Sequence, residues 1–137
     1  MRDENAEHLY RLLIYCEHIM QAVRYFDGDY DKFKDDANSR DRYACIFFVE
    51  HIGEHVNKLT AEFKSAHSEI GWHEIVGLRN RIVHDFKSVR KATLWTIMVR
   101  DIPELNAQCR NFLRELDPTA EADLLAELDE MRKDTEC

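Results

Sequence analysis

Arg79, Asn80 and His84 lie close together in the run Gly77-Leu78-Arg79-Asn80-Arg81-Ile82-Val83-His84-Asp85-Phe86, and they supply the side-chain types that phosphate chemistry needs. Arginine offers a fixed fork of donors to phosphate oxygens, histidine titrates near neutral pH and can move a proton, and an asparagine amide can orient either. On an ideal helix each residue advances about 100°, so Arg79 and His84, five apart, point about 140° away from one another, while Asn80 and His84 share a face. One unbroken helix therefore does not aim both charged groups at a single phosphate. Either the helix ends near His84 and turns the ring back, or two copies of the motif meet across a dimer interface.

The charge around the motif suits a polyanion better than the whole chain does. The formal net charge is -8, which on its own argues against nucleic acid, because affinity for a polyanion rests on cations that neutralise phosphates. From Arg79 to Lys91, however, five cations (Arg79, Arg81, Lys87, Arg90 and Lys91) face one acid, Asp85, which leaves 5 - 1 = +4. Arg81, Lys87, Arg90 and Lys91 are therefore candidates for gripping a phosphate backbone. From Glu115 to Cys137 nine acids face Arg132 and Lys133, so 2 - 9 = -7 of the charge sits in the tail.

A second spacing deserves weighing. His51-Ile52-Gly53-Glu54-His55 matches H-x-x-E-H, in which two histidines one helical turn apart ligate zinc beside a general base. A third ligand has to come from elsewhere, and Gly53 weakens the supporting helix by about 1 kcal/mol relative to Ala. No metal is expected here. Gly53 itself calls for close packing against another backbone or some local need.

The elements that position these residues are helices. Only 4 glycines and 2 prolines punctuate a chain that is 45% hydrophobic, which favours an all-α fold over a sheet. Leu9, Leu12, Leu13, Cys16, Ile19, Met20 and Val23 mark a first amphipathic helix over about 4–26, stopped by Asp27-Gly28-Asp29. A loop or short helical turn follows, with Asn38 or Ser39 as N-cap. Cys45, Phe48, Ile52, Val56, Leu59 and Phe63 predict a second helix over about 40–65, and 66–71 reads as a connection. Trp72, Ile75, Leu78, Ile82 and Val83 mark the third helix, which carries the motif. Ser88 is placed to cap a fourth, built on Trp95, Met98, Ile102, Leu105, Cys109, Phe112 and Leu116, with a kink or a break near Arg100–Asp101 because Pro103 lacks a backbone donor. Asp117-Pro118 has N-cap and N1 chemistry for a last helix bearing Leu124, Leu125, Leu128 and Met131. Trp72, Ile75 and Trp95 read as core anchors.

A chain of 137 residues buries one core. The expected division is a helical domain over 1–116 and an acidic C-terminal helix or tail over 117–137, the latter chiefly solvating the terminus. Cys16, Cys45, Cys109 and Cys137 form no C-x-x-C pair, so free thiols in a reducing cytosol are expected. No apolar run approaches the roughly 20 residues of a membrane span, and the expected location is cytoplasmic.

The pattern R-N-x-x-x-H resembles the signature of the HEPN superfamily of RNases, and Arg79-Asn80-Arg81-Ile82-Val83-His84-Asp85-Phe86 closely resembles its HepT-like toxin branch. Ile52-Gly53-Glu54, Trp72-x-x-Ile75-x-Gly77, Trp95 and Asp101-Ile102-Pro103-x-Leu105 extend the resemblance over most of the chain. It implies an antiparallel helical bundle of four to five helices, a homodimer with facing motifs, and metal-independent endoribonuclease activity that uses the RNA 2′-hydroxyl as nucleophile without a cofactor. It further implies that Arg79, Asn80 and His84 are catalytic, and that a minimal nucleotidyltransferase antitoxin is the partner. The branch carries Tyr where this chain has Phe86, a tyrosine that accepts adenylyl groups from that partner. Two other readings keep the same helices: a non-catalytic module presenting substrate or nucleotide to a nucleotidyltransferase, and a purely structural helical protein.

Overall fold

The computed structural model describes residues 2–136, and among the described residues the chain is helical with no strand. Helix α1 spans Glu4–Tyr25 and starts where the Asp3 carboxylate accepts from the backbone N–H of Asn5 and Ala6. It stops at Asp27 and Gly28, both left-handed (φ 57° and 65°), and the Gly28 N–H closes the end on the Val23 carbonyl at 2.9 Å. The short α2 (Tyr30–Lys34), capped by Asp29, and a 3-10 turn (Asp36–Asn38) lead to α3 (Ser39–Lys58). Asn38 stands at the N-cap position without capping through its side chain; the amide reaches back to the Lys32 carbonyl at 2.8 Å.

The second helix is shorter than its periodicity predicts. Leu59 turns extended after Lys58, and α4 (Ala61–Ala66) begins afresh from Thr60, whose hydroxyl accepts from the Phe63 N–H. The break is held from a distance. Asn5 of α1 accepts from the Thr60 N–H at 2.9 Å and donates to the Thr60 hydroxyl at 3.1 Å, so a tertiary contact satisfies the groups that a continuous helix would have used.

Helix α5 (Trp72–Asp85) carries the motif and is followed by a 3-10 turn (Phe86–Ser88). Ser88 does not cap the next helix: its hydroxyl donates to the Asp85 carbonyl at 2.8 Å, and α6 (Lys91–Thr96) starts after Arg90 with no side-chain cap. Between α6 and α7 (Ile102–Leu116) the chain makes a π turn over Ile97–Asp101. The irregularity falls where Pro103, in the first turn of α7, withholds its donor. Helix α8 (Pro118–Glu136) begins with the Asp117 carboxylate accepting from the Ala120 N–H.

Pairs of residues fix the helix directions. His8 meets His55 and His18 meets Phe48, so α1 and α3 run antiparallel; Gly53 meets Arg79 and Tyr43 meets Phe86, so α5 runs antiparallel to α3. Helix α8 lies parallel to α1, through Arg2–Asp123, Tyr10–Glu127 and Glu17–Arg132. The core gathers Leu9, Leu13, Cys16, Ile52, Met98, Leu113 and, from α8, Leu124 and Leu128. Trp72 is buried and Trp95 packs on Phe33 at 4.9 Å, as core anchors do. Cys16, Cys45 and Cys109 are free and buried, and burial pushes the thiols of Cys45 and Cys109 up to about 12. Cys137 lies outside the described residues. Among the described residues no helix is long and apolar enough to cross a membrane.

Candidate functional site

Gly53 determines how closely α5 approaches α3. A Cβ at this position would stand 2.3 Å from the Arg79 Cβ, so only glycine allows the two helices to touch here. The close approach puts Arg79 beside Glu54. The guanidinium donates from Nε and Nη2 to Glu54 Oε2 at 3.0 and 2.7 Å, and from Nη1 to Asn80 Oδ1 at 3.0 Å. Both charged side chains are about three-quarters hidden from solvent, which strengthens the pair relative to a surface ion pair. Lys58 stands one turn on along α3, 3.9 Å from the other Glu54 oxygen.

Helix α5 is unbroken from Trp72 to Asp85, so His84 sits in its last turn, about 140° around the axis from Arg79. Of the two routes open to the motif, a turned-back ring is not the arrangement seen. His84 is exposed, and among the described residues its ring makes no hydrogen bond; Asn80 is exposed as well. Within one chain, then, Arg79 is fixed by Glu54 and Asn80 while His84 is presented to solvent.

The cations of the basic run separate. Lys87 and Lys91 line a pocket of about 170 Å³ with Tyr43 and Phe86, whose rings meet edge to face at 5.8 Å. Lys91 also donates to the Lys34 carbonyl at 3.2 Å, and Arg90 is exposed just before α6. Arg81 points elsewhere, into a cleft of about 420 Å³ between α5 and α7 whose rim carries Glu69, Glu74, Asp101 and Glu104.

The H-x-x-E-H residues do not converge. Glu54 is committed to Arg79, the His55 Nδ1 lies 3.1 Å from the His8 Nδ1, and His51 stacks on Tyr15. Among the described residues no group of three histidine, cysteine, aspartate or glutamate side chains is arranged to hold a metal ion. The His8–His55 pair was not legible in the sequence, since 47 positions separate its members. Burial and the neighbouring His8, Lys58, His51 and Arg11 push His55 down to about 4.

An all-helical bundle carrying an R-N-x-x-x-H helix with Asn80 and His84 exposed defines a HEPN-type protein. The family profile described as Ribonuclease HepT-like matches residues 15–112, and the chain belongs to that family of ribonucleases. Among curated proteins it is similar to an inferred RNase of Caldanaerobacter subterraneus subsp. tengcongensis, 32% identical over 108 residues that cover 79% of this chain and 93% of the relative. An inferred RNase of Methanocaldococcus jannaschii is 28% identical over 80% of this chain and 90% of its own. A protein of Thermococcus cleftensis, whose name infers ribonuclease HepT, is 31% identical over 52% of this chain and 64% of its own. No solved structure matches.

Proposed function

We propose that this ribonuclease is a metal-independent endoribonuclease toxin that cleaves RNA through Arg79 and His84 in the cleft of a homodimer. The single observation that carries the reading is the guanidinium of Arg79, held by Glu54 and Asn80 on a helix that presents an exposed His84 five residues on. The RNA 2′-oxygen attacks the adjacent phosphorus, the bond to the 5′-oxygen breaks, and a 2′,3′-cyclic phosphate and a 5′-hydroxyl result. His84 takes the 2′-hydroxyl proton or returns one to the leaving 5′-oxygen, Arg79 stabilises charge on the phosphoryl oxygens, and Asn80 orients the guanidinium. Lys87, Arg90 and Lys91 grip phosphates further along the strand, whereas Arg81, turned into the acid-rimmed cleft, stands apart from them. The protein acts in the cytoplasm, and its partner is a minimal nucleotidyltransferase antitoxin.

The test is cleavage of a labelled RNA by the wild type, Arg79→Ala and His84→Ala, with and without EDTA. Expected are 2′,3′-cyclic ends, full activity in EDTA, and loss of cleavage in both variants with stability within about 1 kcal/mol of wild type. Full activity in either variant, or a strict metal requirement, sinks the mechanism. A second reading, a non-catalytic module of a nucleotidyltransferase complex, is favoured by one observation: the Glu54 carboxylate already neutralises Arg79. Cleavage by the purified wild type decides against it.

A further inference from the structure

The groove between α1 and α3, on the side of α3 away from Glu54, holds a pocket of about 590 Å³ that the cleavage chemistry does not use. Four rings share its lining: His18 and Phe48 stack nearly parallel, with centroids 4.8 Å apart and planes 10° apart, and Tyr25 meets Phe26 edge to face at 5.2 Å. Tyr25 is 65% exposed, so an open aromatic face is available to a planar ligand. Burial holds the His18 imidazole below its ordinary value, and a neutral ring stacks as an aromatic.

The polar groups at this pocket are few and differ in kind. Arg24 stands 3.6 Å from a Glu17 oxygen that Arg132 also meets, at 3.1 Å. Its guanidinium is largely exposed and in surplus over the carboxylate it faces, so it can turn to a phosphate. Gln21 directs its amide N–H toward Glu17 and keeps its carbonyl oxygen as an acceptor. Asp41, on the opposite wall, is an acceptor only. Two acceptors at the edge of an aromatic slot fit a base with an exocyclic amine, as carboxylates pair with such amines in nucleic-acid recognition.

We propose that this α1–α3 pocket binds an unpaired, amine-bearing nucleobase of the RNA substrate, stacked against Tyr25 and the His18–Phe48 pair, with Arg24 on its phosphate. The proposal rests on the ribonuclease reading and adds a base-recognition subsite to it. Rings lead from the pocket toward the candidate cleavage site: Phe47 joins Phe48 to His51, and His51 stacks on Tyr15 at 5.0 Å, one turn short of Glu54 and His55. Along α3, Phe48 and Glu54 are six residues, or about 9 Å, apart, so one strand reaches both. Unpaired bases splayed onto aromatic side chains are the usual way single-stranded RNA is read.

The test measures binding of fluorescein-labelled oligoadenylate, oligouridylate and an abasic strand of equal length to the full protein carrying His84→Ala to prevent turnover. Alongside it, the otherwise wild-type protein is assayed for RNA cleavage. Expected is tighter binding of oligoadenylate than of the abasic strand by about tenfold, corresponding to one stacked base. Tyr25→Ala and His18→Ala should remove that margin and leave abasic binding unchanged, Arg24→Gln should weaken both strands, and Asp41→Asn should reduce the preference for adenine over uracil. Equal affinity for oligoadenylate and the abasic strand, or unaltered oligoadenylate binding in Tyr25→Ala and His18→Ala, overturns the subsite while cleavage by wild type leaves the ribonuclease reading intact. Absence of both binding and cleavage overturns the two together. Saturation by AMP with no change in RNA affinity assigns the pocket to a free nucleotide and overturns the RNA assignment.

Discussion

Phe86 is the residue at which this chain departs from the pattern it otherwise follows. Its ring is 43% exposed at the end of the motif helix, edge to face with Tyr43, and beside Lys87 and Lys91. A phenol at this position would stand in the open next to cations that can hold a triphosphate, which is the setting a nucleotidyl transfer needs; a phenyl ring offers no nucleophile. If the proposed nucleotidyltransferase antitoxin exists, incubation of the wild type with it and ATP is therefore expected to leave position 86 unmodified. Phe86→Tyr is expected to gain AMP there, by bond formation between the phenolic oxygen and the α-phosphorus with release of pyrophosphate, and to lose RNA cleavage. Mass spectrometry of the two proteins decides it. A Tyr variant that stays unmodified beside an active partner leaves inhibition by binding as the form of control.

Between elements, the α3–α5 contact is the one on which the site depends. Gly53→Ala gains up to about 1 kcal/mol in helix propensity but drives a methyl into the Arg79 Cβ, an atom too close to its own backbone to swing aside. The helices must separate, and overpacking of this kind costs about 1–3 kcal/mol. Denaturant unfolding should show a net loss of stability, and cleavage should fall because Arg79 no longer meets Glu54; a variant as stable and active as wild type refutes this view of Gly53. At the α1–α3 contact, His55 stays neutral when folded, near 4, and reverts to about 6.5 when unfolded. Between these values the unfolded chain binds the proton that the folded one refuses, so the contribution is complete above about pH 6.5 and is lost as pH falls toward 4. With the residue only partly buried, solvent screening reduces the effect to on the order of 1 kcal/mol. His55→Gln should flatten the stability profile over that interval, and an unchanged slope would remove the pair from the account. Helix periods, the Asp27-Gly28 stop, the Pro103 irregularity and the Asp117-Pro118 start were all legible, because each is encoded within a turn or two of chain. The break at Leu59–Thr60, the helix start after Arg90 and the His8–His55 pair were not. The first and last depend on partners 55 and 47 residues away, and the helix start on Ser88 bonding to Asp85 instead of capping. At the site, the residue types and the need for close packing at Gly53 were readable, but only the fold shows that Glu54 takes Arg79 as its partner.

At the scale of the molecule, half-exposed apolar side chains stand beside the motif. Tyr43, Phe47 and Glu54 fall within about 40° of one another on α3, which puts two half-exposed rings in line with the carboxylate that holds Arg79. Val83, also half exposed, lies one turn beyond Arg79 on α5. An apolar strip of this kind, bordered by the cations of the motif, is suited to a two-fold contact in which each copy supplies the same strip. Such a contact brings two Arg79 side chains and two His84 rings toward one cleft, and thereby resolves the 140° divergence that one helix imposes. It leaves the α1–α3 pocket open, because Phe48 stands about 140° around α3 from Tyr43. The expected outcome is a dimer at micromolar concentration by sedimentation. Phe47→Asp, which sets a carboxylate on each side of the axis, should give a folded monomer that no longer cleaves RNA. Circular dichroism separates that result from unfolding, since Phe47 is half exposed in the single chain and its loss opens no cavity. A wild-type monomer that cleaves RNA, or a Phe47→Asp protein that remains dimeric and active, would mean that the cleft is assembled on some other face, and that His84 reaches the phosphate without a second copy or by a different pairing of the helices.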